Sequence, residues 1–217
     1  SPLWLGRPGV ASYDATASGA MRGLYTGQGG SSSVWAQYTY LIGGDKLRRT
    51  LGAANLGTLV TTTGTVRMAD NGTVLFLVDG TDGYLFTFAT QVFAAITDAD
   101  FPATAPKVAV VLDDYFIWPL VSTAGQFQIS LYRASSATNF CSSLDVGVCE
   151  SSPDVLVSCG VLHRALWLFG TRSTEVWWNS GNAKFPFERQ EGGVLPVGAW
   201  SAYGVTTTDT SIYWIGQ

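Results

Sequence analysis

Charged residues make up 13% of this 217-residue chain, about half the usual share of a soluble domain, with 12 Lys and Arg against 16 Asp and Glu. Apolar residues make up 47%, and with 25 Gly, 8 Trp, 9 Tyr and 11 Phe the composition excludes wholesale disorder. A net charge of -4 leaves little basic surface for neutralising phosphates, which argues against tight nucleic-acid binding. The longest uninterrupted apolar runs, among them Val74–Val78, Val108–Leu112 and Ala165–Phe169, reach five residues, against roughly 18 for a membrane-spanning helix, so no membrane insertion is expected.

Along the chain, Ser1-Pro2-Leu3-Trp4-Leu5-Gly6-Arg7 has neither an initiator Met nor a basic segment followed by an apolar stretch. It does not read as a signal peptide, and the expectation is a chain that begins within a longer protein. Val34-Trp35-Ala36 is an early short strand signal, and Lys46-Leu47-Arg48-Arg49, where alternation fails at Arg49, reads as a solvated strand end with no assigned role. Asn71-Gly72 then separates Val66–Ala69 from Thr73–Val78, the strongest two-residue hairpin signal, because both turn positions favour left-handed backbone. Asp79-Gly80-Thr81-Asp82-Gly83 reverses the chain into Tyr84–Phe88, which predicts a three-strand meander. Thr90–Thr97 alone shows helical spacing, with Val92, Phe93 and Ile96 on one face, and predicts a short helix. Asp98-Ala99-Asp100 before Pro102, Asp113-Asp114 between two apolar runs, and His163-Arg164 all read as turns. The fold class is all-β.

The meander recurs. Its middle strands align at Val34-Trp35-Ala36, Leu75-Phe76-Leu77, Phe116-Ile117-Trp118, Leu166-Trp167-Leu168 and Ile212-Tyr213-Trp214, with intervals of 41, 41, 50 and 46 residues between the centres Trp35, Phe76, Ile117, Trp167 and Tyr213. A period of about 40 to 50 residues is that of a four-stranded propeller blade. One small antiparallel sheet cannot bury both faces alone, whereas sheets stacked around an axis bury each other, and strands so sandwiched are apolar on both faces. The expectation is one β-propeller domain over residues 1–217, built from antiparallel blades, whose last blade lacks its outer strands unless the N-terminal segment supplies them. The ring is therefore incomplete or the chain a fragment. β-Sandwiches and Greek-key barrels use similar strands but predict no such repeat.

Catalytic, cofactor-binding and metal-binding residues are assigned to none. The single His163 excludes any two-histidine site; Cys159 lies four residues before it, but a turn histidine is the better reading. Asp113-Asp114 and Asp98/Asp100 are the visible carboxylate pairs for glycosidase chemistry, yet both sit where turns are expected. Asp79–Gly83 has two carboxylates and no distal Glu, so it reads as a hairpin before a calcium loop. Asn71-Gly72-Thr73 fits a glycosylation pattern that the hairpin already explains. Three cysteines, Cys141, Cys149 and Cys159, are too few for a disulfide scaffold and outside zinc spacing. A Cys141–Cys149 bridge is conceivable; free thiols in a reducing compartment are the expectation.

The most distinctive stretch runs from Leu166 to Gly193. In it the Leu-Phe-Gly end of one strand is followed by Ser173-Thr174-Glu175-Val176-Trp177, which opens the next, and a Pro- and Gly-punctuated loop containing Phe185-Pro186-Phe187-Glu188-Arg189 returns toward the next blade. Arg7-Pro8-Gly9-Val10, Asp79-Gly80 and Asp113-Asp114-Tyr115-Phe116 add looser matches. The chain resembles the packaged-DNA stabilisation proteins of short-tailed bacteriophages, which build the tail hub or nozzle below the portal. The resemblance implies a β-propeller without catalytic activity or cofactors, and six copies around a DNA exit channel. It also implies other tail and portal or adaptor proteins as partners, packaged DNA passing without specific binding, and location in the virion tail after assembly in the host cytoplasm. A carbohydrate-binding propeller is the alternative, because aromatic faces stack on sugars, and a glycosidase-type propeller using Asp113 or Asp114 is a third. An assembly subunit with so few charges should expose apolar patches when isolated.

Overall fold

In the computed structural model, which describes residues 19–27, 38–50, 52–121, 123–152 and 154–216, every regular element among the described residues is a strand. The first sheet comprises β1 (Met21–Thr26), β2 (Thr39–Gly43), β3 (Lys46–Arg49) and β4 (Gly52–Thr58). The second comprises β5 (Arg67–Asp70), β6 (Val74–Val78), β7 (Gly83–Thr87) and β8 (Val92–Ala95). The third holds β9 (Val110–Leu112), β10 (Tyr115–Pro119), β11 (Gln126–Ser130) and β12 (Cys141–Val148), and the fourth β13 (Leu156–Leu162), β14 (Ala165–Gly170), β15 (Thr174–Asn179) and β16 (Phe187–Leu195). A fifth sheet has two strands among the described residues, β17 (Val205–Thr207) and β18 (Ile212–Trp214). Each sheet is an antiparallel meander in chain order.

Turn chemistry sets these boundaries. Asp113 and Asp114 (φ 48° and 67°) join β9 to β10, and His163 and Arg164 (φ 50° and 62°) join β13 to β14. Both are two-residue hairpins with left-handed backbone at each position, as type I′ geometry demands. The expected Asn71-Gly72 hairpin forms differently. Only Gly72 is left-handed (φ 80°), and the Asn71 side-chain oxygen accepts the N–H groups of Thr73 and Val74, both at 3.1 Å. In the Asp79 turn, Oδ1 accepts the N–H groups of Thr81 and Asp82.

The short helix expected over Thr90–Thr97 is corrected to β8. Gln91 turns the chain with φ 55°, Phe93 pairs opposite Phe86, and its ring stacks on Tyr84 at 5.2 Å. Sheet pairing and burial against Tyr84 outweigh a weak local helical pattern. The meander expected to have three strands therefore has four. Likewise the loop after Asn179 leads into β16, the outer strand of the same sheet, rather than to the next one.

Packing explains the uninterrupted apolar strands. In β6, Leu75 and Leu77 enter a core shared with Tyr40, Ile42 and Leu47 of the first sheet, while Val74, Phe76 and Val78 enter another with Phe116 and Trp118 of the third. Ile117 of β10 turns the other way, into a core with Leu166 and Leu168 of the fourth sheet. Trp167 and Phe169 in turn pack on Trp214 of the fifth, at 6.4 and 5.3 Å between ring centroids. Each strand's two-residue period thus feeds a separate core layer on either side. The innermost strands β1, β5, β9, β13 and β17 lie side by side in that order.

Of the expected blade centres, Phe76, Ile117 and Trp167 lie on second strands, Tyr213 lies on β18, and Trp35 lies outside the described residues, as do Arg7–Val10. In the first sheet the second strand is β2. A buried cation ties that sheet to the connection between β4 and β5. Arg22 of β1 donates to the carbonyls of Gly44, Thr61, Thr63 and Gly64 at 2.6–2.9 Å and to the Thr61 hydroxyl, which itself donates to buried Asp79.

Candidate functional site

The residues that the sequence singles out for chemistry are dispersed by the fold. Asp113 accepts from Arg164 at 2.8 Å and from the Asn179 amide at 3.1 Å, whereas Asp114 faces a different guanidinium, that of Arg133, at 2.8 Å. Both arginines are largely exposed, so these pairs orient the carboxylates more than they stabilise the fold. Asp113, Asp114 and Arg164, together with Tyr115, Tyr132, Asp145 and Lys184, line a polar cleft of about 720 Å³ between the third and fourth sheets. Burial pushes the Asp145 carboxyl above its ordinary range. Asp98 is a structural tie: it accepts the N–H groups of Asp100, Phe140 and Cys141. Burial would raise its carboxyl, but these three bonds outweigh that and hold it below the usual range.

Cys159 and His163 are not brought together. The Cys159 thiol faces the Ile117 carbonyl at 3.8 Å, and the exposed His163 ring contacts the Asp209 carbonyl at 3.1 Å. All three cysteines are free and buried, and burial raises every one of the thiols, Cys141 and Cys159 to about 12. Among the described residues no group of three or more His, Cys, Asp or Glu side chains is placed to hold a metal.

The Leu166–Gly193 stretch builds the joint between the third and fourth sheets. Buried Glu175 accepts from the Ser151 N–H at 2.7 Å and the Trp177 indole at 2.9 Å, and Trp177 meets Phe127 of β11 edge-on at 5.1 Å. The hydroxyl of Thr174 donates to the Val197 carbonyl at 2.7 Å. Asp154 caps the β14–β15 turn by accepting the N–H groups of Arg172 and Ser173. Gly170 is required beside it, because a Cβ there would collide with that carboxylate. Phe187 packs edge-on against Tyr115 at 5.7 Å, and Phe185 lies 5.9 Å from Phe127.

Two further features had no sequence signal. A cleft of about 280 Å³ opens between the inner strands, lined by β5, β9, β13 and β17 and by Tyr25. Near the short fifth sheet, Val121, Val155 and Trp200 share a second hollow, and Trp200 bonds through its backbone to Ile215. Trp200 is 69% exposed and Ile215 66%, which leaves a contiguous apolar surface of the kind that marks an interaction site. The spacing pattern could not find it, since these residues carry the same signature as the buried ones.

Stacked antiparallel meanders, each sharing a core with the next and turning its first strand toward a common cleft, define a β-propeller. The chain belongs to the phage stabilisation family described as Bacteriophage P22 Gp10, beta-propeller, whose family model matches residues 6–217. It is thus a member of a phage structural family. Among solved structures it is similar to the extracellular domain of BT4673 from B. thetaiotaomicron, with 11% identity over 78% of this chain and 22% of that one and a TM-score of 0.48. PorZ, a surface component of the type-IX secretion system of Porphyromonas gingivalis, matches with 13% identity over 82% of this chain and 22% of its own and a TM-score of 0.47. The computationally designed Ika8 protein matches with 9% identity over 82% and 55% and a TM-score of 0.49. The chain thus spans about a fifth of each of the first two structures. No curated protein matches it significantly.

Proposed function

We propose that this chain is a non-enzymatic structural component of the tail of a short-tailed phage. It contributes a propeller to the hub or nozzle below the portal, where six copies surround the exit channel and retain packaged DNA. The observation that carries this reading is the family match across residues 6–217. The apolar surface around Trp200 and Ile215 supports it as a place for neighbouring tail proteins, and a net charge of -4 suits a wall past which DNA slides without being held. Disrupting the gene should give particles that lose their DNA or carry incomplete tails, and images of intact virions should place the chain in a sixfold ring. Disrupted particles that keep their genome and complete tails would remove the proposal.

A carbohydrate-binding reading has one observation in its favour, the Tyr132 ring, 58% exposed beside the polar cleft that holds Asp114 and Asp145. Glycan-array binding that disappears in Tyr132→Ala would favour that function; an array without signal would leave the structural role alone.

A further inference from the structure

The inner strands β5, β9, β13 and β17 each pair on one side only, with the second strand of their own sheet. Their other edges face the axial cleft, so backbone N–H and C=O groups there are available to a guest. The cleft walls carry Tyr25, Ser158, Thr206 and Thr207 among aliphatic side chains, and Arg67 is the one charged residue among the described residues that line it.

The position of Arg67 is unusual. Its guanidinium carbon lies over the Tyr203 ring, 5.4 Å from the centroid, a cation–π contact. Its Nε is buried and takes no acceptor from the protein, and none of the four ion pairs among the described residues includes it. The acids nearby are committed elsewhere. Asp70 accepts the Tyr25 hydroxyl at 2.8 Å and the Gly72 N–H at 2.9 Å, and Asp79 serves Thr61, Thr81 and Asp82. A guanidinium presents five donors in a planar fork. Held against Tyr203 and partly desolvated, it is pre-organised to meet two oxygens of one planar or tetrahedral anion along its edge.

We propose that the axial cleft is a binding site for a small oxyanion, carboxylate or phosphate, held by the Arg67 guanidinium and the adjoining strand edges. Pairing a partly buried cation is what favours occupancy, since its buried Nε has no acceptor from the protein. Tyr203 acts as a positioning residue by fixing the plane of the fork.

The test is a titration of the ¹⁵N-labelled full chain with sodium phosphate and, separately, with sodium acetate, at constant ionic strength, following the arginine Nε–Hε resonances. The Arg67, Arg133 and Arg164 signals are assigned on the wild-type chain itself by triple-resonance experiments on ¹³C,¹⁵N-labelled protein. A saturable shift at Arg67, absent at the exposed Arg133 and Arg164, is expected with at least one anion, and which anion produces it identifies the source. Arg67→Lys, which keeps the charge and loses the fork, should bind about tenfold more weakly or worse, and Tyr203→Leu, which keeps the Arg67 charge but frees the plane of its fork, should weaken binding less than Arg67→Lys does. The site is refuted by no saturable shift with either anion, or by equal shifts at Arg133 and Arg164. The wild-type titration is decisive even if a variant fails to fold.

Discussion

Phe76 offers the sharpest test of how the sheets hold together. It projects from β6 of the second sheet, is fully buried, and lies 4.9–6.1 Å from the rings of Phe101, Phe116, Trp118 and Phe140. Truncating a buried Phe to Ala costs about 3–5 kcal/mol from lost transfer energy and the cavity left behind. Each aromatic pair adds about 0.5–1.5 kcal/mol beyond area alone, so four neighbours place Phe76→Ala near the top of that range. A loss of about 4–5 kcal/mol is a large part of the ~5–15 kcal/mol stability of a typical domain. In a chain of this size it should lower Tm by about 8–20 °C. Equilibrium urea unfolding, with Val60→Ala as a control at a site 77% exposed, measures it directly. The control should stay within about 0.5 kcal/mol of wild type. A Phe76→Ala loss below about 1 kcal/mol would falsify the shared core between the second and third sheets.

The thiols give a second expectation. Burial raises all three, Cys141 and Cys159 to about 12, so the native protein at pH 8 should resist a thiol-reactive disulfide reagent and release three equivalents only on unfolding; rapid native labelling would contradict the packing around them. A third concerns acid. Because the Asp98 carboxyl is held below its unfolded value, its contribution is complete above the ordinary carboxylate pKa and is lost as the pH falls through the depressed folded value. Asp98→Asn should therefore flatten the fall in stability below about pH 4, measured as Tm against pH, and an unchanged acid slope would mean that the three N–H bonds do not favour the charged form.

Much of this architecture was legible because the physics is local. Asp113-Asp114 and the Asp79 turn announce hairpins through side chains that tolerate left-handed backbone or bond their own turn. Runs such as Val74–Val78 announce strands covered on both faces, which the two cores meeting at β6 explain. β8 is not legible because its partners are not in its own sequence window: Phe93 gains its place from Tyr84 and Phe86 across the sheet. The Asn71 turn is legible as a turn but not in its mechanism, since the Asn side chain substitutes for a second left-handed residue. Arg67 had no signal at all. An arginine at a strand start reads as solvated, and only the convergence of β5, β9, β13 and β17 encloses it.

The alternation along β6 and β10 also decides how the molecule comes apart. Each interior sheet is clamped from two sides, so it opens only after a neighbour has left. Unfolding of such a stack behaves as a one-dimensional chain of nearest-neighbour couplings that melts from its ends inward. Amide exchange should accordingly be slowest in β6 and β10. A protein seated on the Trp200 and Ile215 surface would add one more coupling at the fifth sheet, and by mass action its effect would extend beyond the strands it touches.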